Sequence, residues 1–210
     1  WARYSDSDTF FLDRSSVDLL GDLTAGASRL SQAGVTDLVL LAQPERPFGR
    51  TLLGGTAAMT YGALELARTI GARLVIPSSI AVFGGAEDRA GLSPDYPRQP
   101  RDDFGFAKST AEGLAESYAK SRDISLLIAR FPHLYGPGNC RPTVLINAVE
   151  QIRQNAPVIL HQFRNGLPEL DLLTVEDGVR ALRALVRTDR SGIFHVGAGG
   201  AVVVGGRLDG

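Results

Sequence analysis

The stretch ARLVIPSS, residues Ala72–Ser79, decides the fold that this sequence predicts. It is a short, nearly continuous apolar run, which is typical of a strand buried on both faces of a parallel sheet. The segment before it, Met59–Gly71, has apolar residues at helical spacing and ends at a glycine suited to a helix C-terminus. A helix that leads into a buried strand in this way indicates an α/β fold.

The same alternation of strands and helices continues on both sides of this strand. Further strands are predicted at Thr36–Ala42, Ile124–Phe131 and Gly192–Gly199, and further helices at Phe106–Asp123, Pro142–Ala156 and Val175–Thr188. The glycine-rich tail that follows is expected to be either poorly ordered or an edge strand. A chain of 210 residues fits one domain with a substantial core.

Composition limits the classes of function. The net charge of −1 gives no electrostatic case for binding nucleic acid or an anionic membrane. No apolar run approaches the roughly 20 residues that a membrane-spanning helix needs. The single cysteine, Cys140, cannot form an internal disulfide, which favours a cytoplasmic location. Lys108 and Lys120 are the only lysines among 22 basic residues, so each of them is of interest.

Six short motifs follow one another in a fixed order. They are GDLT at Gly21–Thr24, SSIAVFGG at Ser78–Gly85, FGFAK at Phe104–Lys108, ARFPHLYGPG at Ala129–Gly138, LDLLTVEDGVRAL at Leu170–Leu182 and GIFHVGAG at Gly192–Gly199. In this order and at this spacing they resemble the extended short-chain dehydrogenases/reductases, the NAD-dependent epimerase/dehydratase family. The resemblance covers roughly Asp22 to Gly199.

This resemblance implies a Rossmann-like, doubly wound parallel sheet with a small substrate-binding lobe. It divides the chain into a partial NAD(P)-binding Rossmann domain, residues 1–135, and a lobe of residues 136–210. The lobe also carries the last elements of the sheet and is not an independent domain. The implied cofactor is NAD or NADP, and the implied partner is a small-molecule substrate.

The resemblance also implies roles for individual residues. Ser79 matches the catalytic serine, and Lys108 matches the catalytic lysine that holds the hydroxyls of the nicotinamide ribose. The remaining matches are expected to border the cofactor: Asp22 and Leu23 at the adenine, Ala42 at a ribose, and Phe131 and Pro132 at the carboxamide.

The front of the family pattern is missing from this sequence. The family begins with a strand, a glycine-rich turn and a helix whose N-terminus binds pyrophosphate, but no such pattern precedes GDLT. If the second strand ended at Thr9–Arg14, too few residues would remain for a parallel crossover, so its end is placed at Trp1–Arg3. Arg3 could then meet the 2′-phosphate of NADP. We therefore expect the sheet to be incomplete at its N-terminus and the natural protein to continue before Trp1.

Three further departures bear on the chemistry. Phe104 stands where the family carries its catalytic tyrosine, whose acid/base role is worth roughly 10²–10⁴-fold in rate, and phenylalanine has no hydroxyl. Leu170 replaces an arginine that binds the phosphates of a nucleotide sugar, and leucine cannot pair with a diphosphate. His133 replaces an asparagine that helps to hold the nucleotide. Leu170 and His133 together argue against a nucleotide-sugar substrate.

His133 has two interpretations. It could be a loop histidine that only forms hydrogen bonds, or it could be a replacement proton donor, because imidazole titrates near neutrality.

Three functions are compatible with the sequence, and the first of them is the prediction. The first is an NAD(P)-dependent oxidoreductase/epimerase of this family that acts on a hydroxyl or ketone. The second narrows this to an atypical ketoreductase without the tyrosine, in which water or the substrate supplies the proton. The third is a non-catalytic dinucleotide-binding or scaffold protein, and the presence of Ser79 and Lys108 favours the two enzymes. A homodimer is a further possibility, and no metal site is predicted.

Overall fold

The computed structural model describes residues 24–44, 49–86, 91–137, 144–158 and 169–203. In chain order its elements are α1 (Thr24–Gln32), β1 (Asp37–Val39), α2 (Gly49–Ile70), β2 (Arg73–Ser79), a 3₁₀ turn (Ile80–Phe83), α3 (Asp103–Arg122), β3 (Leu126–Phe131), β4 (His133–Tyr135), α4 (Val144–Arg153), β5 (Glu169–Thr174), α5 (Val175–Val186), β6 (Gly192–His195) and β7 (Ala201–Val203). None of these helices is both long and apolar enough to cross a membrane.

The central sheet has four parallel strands in the order β1-β2-β3-β6. The pairing of β2 with β3 extends over six residue pairs and ends with Ser79 beside Phe131. Because all four strands run in the same direction, their carboxyl ends lie at one edge of the sheet, where open α/β sheets bind ligands. The predicted α/β fold with a parallel Rossmann-like sheet is confirmed.

Helices cover both faces of this sheet. On one face, α2 and α3 pack against alternate residues of β2 such as Leu74 and Ile76. On the other face, Leu182 and Leu185 of α5 pack around Val75, the β2 residue that lies between those two. The inner side of α3 consists largely of alanines, which lets the helix approach the sheet closely. This packing on both faces explains why the strands have nearly continuous apolar sequences.

A second sheet was not predicted. Its strands lie in the order β4-β5-β7, with β4 parallel and β7 antiparallel to β5. The motif at Leu170–Leu182 is divided between β5 and α5, and α5 begins at Val175, the residue predicted for the start of this helix. The tail supplies an edge strand at Ala201–Val203, one of the two expectations for it.

Arg73 joins the sheet to the end of α5. Its guanidinium donates to the carbonyl oxygens of Val186 and Arg190, and its Nε lies 2.6 Å from Asp37. Carbonyls at the end of a helix have no partner within the helix, so a cation there satisfies them.

Candidate active site

A pocket opens at the carboxyl edge of the central sheet, between the ends of β1 and β2 and the helices α2 and α3. Its lining includes Ala42, Phe104 and Lys108, which are three of the predicted site residues. The other lining residues carry no charge: Leu40, Gln43, Leu52, Thr56, Met59, Thr60, Ile76, Pro77, Ala107 and Ala111. Among the lining residues that the structure describes, Lys108 alone is charged, and apolar surroundings strengthen its electrostatic effect.

Contacts with Pro77 and Phe104 help to position the ammonium of Lys108. Its Nζ donates a hydrogen bond of 3.0 Å to the carbonyl oxygen of Pro77. It also lies 5.7 Å from the centroid of the Phe104 ring, within the range of a cation–π interaction. Phe104 and Lys108 are four residues apart on α3, so they share a helix face. The chain therefore keeps the ring beside the lysine but offers no hydroxyl there.

Ser79 ends β2 and begins the 3₁₀ turn. Its Oγ accepts a hydrogen bond of 3.1 Å from the backbone N–H of Ala81. That bond uses the oxygen as an acceptor, so the hydroxyl hydrogen can still be donated to a carbonyl group. Ser79 does not line the pocket of Lys108 but lies two residues beyond Pro77, which does.

Phe131 and Pro132 lie beside Ser79 at the same edge of the sheet. Phe131 is the register partner of Ser79, and both Phe131 and Pro132 are buried. The structure thus brings six predicted residues to one edge, with Ala42, Phe104 and Lys108 in the pocket and the other three next to it.

His133 lies in the second sheet, where it pairs with Leu172. Although much of the residue is exposed, the protein atoms around its ring desolvate it and lower the pKa of the imidazole, while the charge of Asp171 opposes this change. A lowered pKa reduces the fraction of the imidazole that carries a second proton, and this is the form that would donate one.

Three predicted cofactor contacts, Arg3, Asp22 and Leu23, lie outside the described residues, as does Cys140. Within the described ranges, no group of three or more His, Cys, Asp or Glu side chains could hold a metal ion.

A buried ion pair that was not predicted from the sequence lies next to this site. Glu112 and Arg130 are 0% and 1% exposed. Arg130 donates from Nε to both carboxylate oxygens of Glu112 and from Nη2 to Oε2, at 2.8–3.2 Å. Ser78 Oγ donates to Glu112 Oε1 at 2.5 Å, and Arg98 donates to Oε2 at 3.1 Å. The one signal in the sequence was an acid four residues after Lys108 on the alanine-rich face of α3.

Arg130 connects this pair to the surrounding loops. It donates to the carbonyl oxygen of Pro94 at 2.8 Å, and its guanidinium lies 4.8 Å from the centroid of the Phe83 ring. The ring nitrogen Nε2 of His195 is 3.3 Å from the same guanidinium.

His195 is expected to make stability depend on pH. Desolvation and the charge of Arg130 lower the pKa of its imidazole, against smaller opposing effects of Glu112 and the Leu92 backbone. As the pH falls below about 6.5, the unfolded chain takes up this proton before the folded chain does, so stability decreases. Urea unfolding at several pH values should show a smaller decrease for His195→Gln than for the wild type. An equal decrease in both would contradict this assignment.

The start of α3 lies very close to the 3₁₀ turn. Asp102 caps the helix by accepting a hydrogen bond of 2.7 Å from the N–H of Gly105. A Cβ atom at Gly105 would lie only 2.5 Å from the carbonyl oxygen of Ala81, a backbone atom that cannot rotate away. Only glycine therefore fits between Phe104 and Phe106 without moving the helix.

Gly105→Ala is expected to lower the free energy of unfolding by about 1–3 kcal/mol, because the added methyl group is forced against the backbone. Gly113→Ala on the same helix is the matched control. Its Cβ would meet only an Arg98 side-chain nitrogen at 3.6 Å, so it should raise stability by about 0.4–1 kcal/mol. Denaturant unfolding of both variants measures this difference, and equal effects would show that the close approach is not limiting.

The fold and the pocket together define an α/β protein with a lysine-containing cleft at the carboxyl edge of a Rossmann-like sheet. Residues 50–197 match the sequence model of the family described as "NAD dependent epimerase/dehydratase family". This chain belongs to that family, which confirms the resemblance drawn from the six motifs and the choice of a nicotinamide dinucleotide as the family's cofactor.

Two curated relatives illustrate the family. The chain is 29% identical over 144 residues to UDP-glucuronic acid decarboxylase 1 of Arabidopsis thaliana, an alignment that covers 66% of this chain and 33% of the relative. It is 29% identical over 189 residues to 3-diazoavenalumate denitrifying reductase of Streptomyces sp, covering 88% of this chain and 60% of the relative. The chain thus spans one third to three fifths of the length of these proteins.

A solved structure supports the same fold. The chain resembles MoeE5 in complex with UDP-glucose and NAD with a TM-score of 0.72 and 27% identity, over 93% of this chain and 64% of the other.

Proposed function

We propose that the protein containing this chain is an NAD(P)-dependent oxidoreductase that transfers hydride to or from the hydroxyl or carbonyl carbon of a small molecule. The observation that carries this proposal is the position of Lys108, held by Pro77 and Phe104 in a pocket at the carboxyl edge of the sheet. Ligands of open α/β sheets bind at this edge.

The residues present fit a nicotinamide dinucleotide. Lys108 is placed to hold the ribose hydroxyls, and Ala42 lines the same pocket. Phe131 and Pro132 would border the nicotinamide, and Ser79 can donate its hydroxyl hydrogen to a substrate oxygen. When bound, the dinucleotide supplies or accepts the hydride. Arg3, Asp22 and Leu23 are proposed contacts on the adenine side, and residues 136–210 are proposed to form the substrate lobe.

The absence of a hydroxyl on Phe104 favours a reductase over a sugar-nucleotide epimerase. An epimerase or dehydratase must remove a hydroxyl proton from its substrate, which calls for a base in the site. Leu170 and His133 also lack the phosphate-binding and amide groups of the family pattern. The relative that covers 88% of this chain is itself named a reductase. The proposed reaction is therefore hydride transfer to a polarised ketone, with the proton taken from water.

Single-turnover oxidation of NADPH and NADH against a panel of ketones tests this function. Oxidation with at least one ketone, and no saturable binding of UDP-glucose at micromolar concentration, is the expected result. No oxidation by the wild-type protein with any ketone would favour a dinucleotide-binding scaffold. Tight UDP-glucose binding would instead indicate that the substrate is a nucleotide sugar.

A homodimer through the outer faces of α2 and α3 is also proposed. Leu53, Tyr61 and Phe106 on these helices are 41–50% exposed, and the Tyr61 ring lies edge-on to that of Tyr118 at 5.7 Å. Association of two copies would remove these exposed apolar side chains from water. Light scattering should give twice the chain mass, and Tyr61→Glu should give the mass of one chain. A wild-type protein that has the mass of one chain at micromolar concentration would contradict the proposed dimer.

A further inference from the structure

Two side chains of α3, one helical turn apart, bind the end of β2. Lys108 donates to the carbonyl oxygen of Pro77 at 3.0 Å, and Glu112 accepts from the hydroxyl of Ser78 at 2.5 Å. Pro77 and Ser78 are consecutive, and Ser79 follows them directly. Glu112 therefore ties the helix that carries Lys108 to the strand that ends in Ser79.

Arg130 fixes Glu112 relative to the sheet. Ser78 and Arg130 are register partners on β2 and β3, and both bind the carboxylate of Glu112. Arg130 also contacts Phe83 of the 3₁₀ turn and the carbonyl oxygen of Pro94. The carboxylate of Glu112, on α3, is thus bound by one residue of β2 and one residue of β3.

We propose that Glu112 is a positioning residue of the site. Through its bond to Ser78 it sets how far Lys108 reaches along the end of β2, and hence the geometry between Lys108 and Ser79. Misplacement by about 1 Å can cost as much as about 10²-fold in rate, so a fixed helix position matters for hydride transfer. Only the kinetic part of this inference rests on the proposed function.

A matched pair of variants separates positioning from general stability. Ser78→Ala and Arg98→Gln each remove one hydrogen bond to Glu112 and leave its pair with Arg130 in place. Ser78 lies on β2 next to the site, whereas Arg98 is 27% exposed and lies in the loop that precedes α3. Glu112→Gln is a poorer probe, because it leaves the buried Arg130 without a counter-charge and can prevent folding.

Lysine signals in NMR report the position of Lys108 without any need for activity. The chain has two lysines, so isotope-labelled lysine gives one signal from Lys108 and one from the exposed Lys120 on the same helix. Ser78→Ala should shift the Lys108 signal and leave Lys120 unchanged, and Arg98→Gln should leave both unchanged. An unchanged Lys108 signal in Ser78→Ala, or an equal shift in Arg98→Gln, would overturn the proposal.

Kinetics supply the second measurement. Ser78→Ala should lower kcat about tenfold, with a larger primary isotope effect from deuterated NADPH and a nearly unchanged KM for the ketone. Arg98→Gln should match the wild type. Wild-type kcat in Ser78→Ala would overturn the positioning role. If the wild-type protein shows no turnover, the proposed function is contradicted. The positioning role of Glu112 is then tested by the lysine NMR signals alone.

Discussion

Arg130→Met is expected to lower the free energy of unfolding by about 3–5 kcal/mol, because it removes the counter-charge of a fully buried carboxylate. Glu112 is 0% exposed and receives two of its closest hydrogen bonds from Arg130. Methionine fills similar apolar space but donates nothing, so the carboxylate keeps only Ser78 and the partly exposed Arg98 as partners. Urea unfolding of the wild type and the variant measures the loss.

Two further variants check the cause of this loss. Arg98→Gln removes a partner of the same carboxylate at a site that is 27% exposed, and its cost should stay below about 1 kcal/mol. The double variant Arg130→Met with Glu112→Leu should recover most of the stability, because it removes both charges and leaves apolar groups in their place. If the double variant is no more stable than Arg130→Met, lost packing rather than an unpaired charge explains the result.

The central sheet could be predicted because each of its strands is recognisable from the apolar pattern of its own residues. The runs at Ala72–Ser79 and Ile124–Phe131 are largely apolar, and such runs can be recognised without knowledge of their partners. The start of α2 was misplaced by ten residues, since Gly49, Gly54 and Gly55 disfavour a helix in isolation. Tertiary packing nevertheless requires a glycine in this helix, because a Cβ atom at Gly55 would lie 2.8 Å from the Pro44 ring.

The second sheet and the ion pair could not be predicted because they depend on non-local contacts. The strand β4 has only three residues, and it pairs with residues of β5 almost forty positions away, as Tyr135 does with Thr174. Glu112 and Arg130 are separated by 18 residues and follow no shared periodicity. Lys108 and Ala42, by contrast, were predicted from the family resemblance, and both line one pocket in the structure.

Lys108→Met is expected to reduce single-turnover oxidation of NADPH by about 10²-fold or more and to weaken dinucleotide binding. The reason is that Lys108 is the charged member of the described pocket lining and is oriented by Pro77. Lys120→Met is the matched control, since it removes an exposed lysine from the same helix and should change neither quantity. Wild-type rates in Lys108→Met would show that the lysine has no part in the reaction.

Phe104→Tyr distinguishes an enzyme that takes its proton from water from a former tyrosine enzyme that has lost its proton donor. If the proton comes from water, the added hydroxyl serves no step, and the rate should change by less than about threefold or fall because the substrate is crowded. If the site is the remnant of a tyrosine enzyme, restoring the hydroxyl beside Lys108 should raise the rate by roughly 10²–10⁴-fold. The ammonium already lies 5.7 Å from the ring centroid, so a restored phenol would meet the lysine that such an enzyme requires. A large gain would therefore mean that the proton path was lost and not replaced.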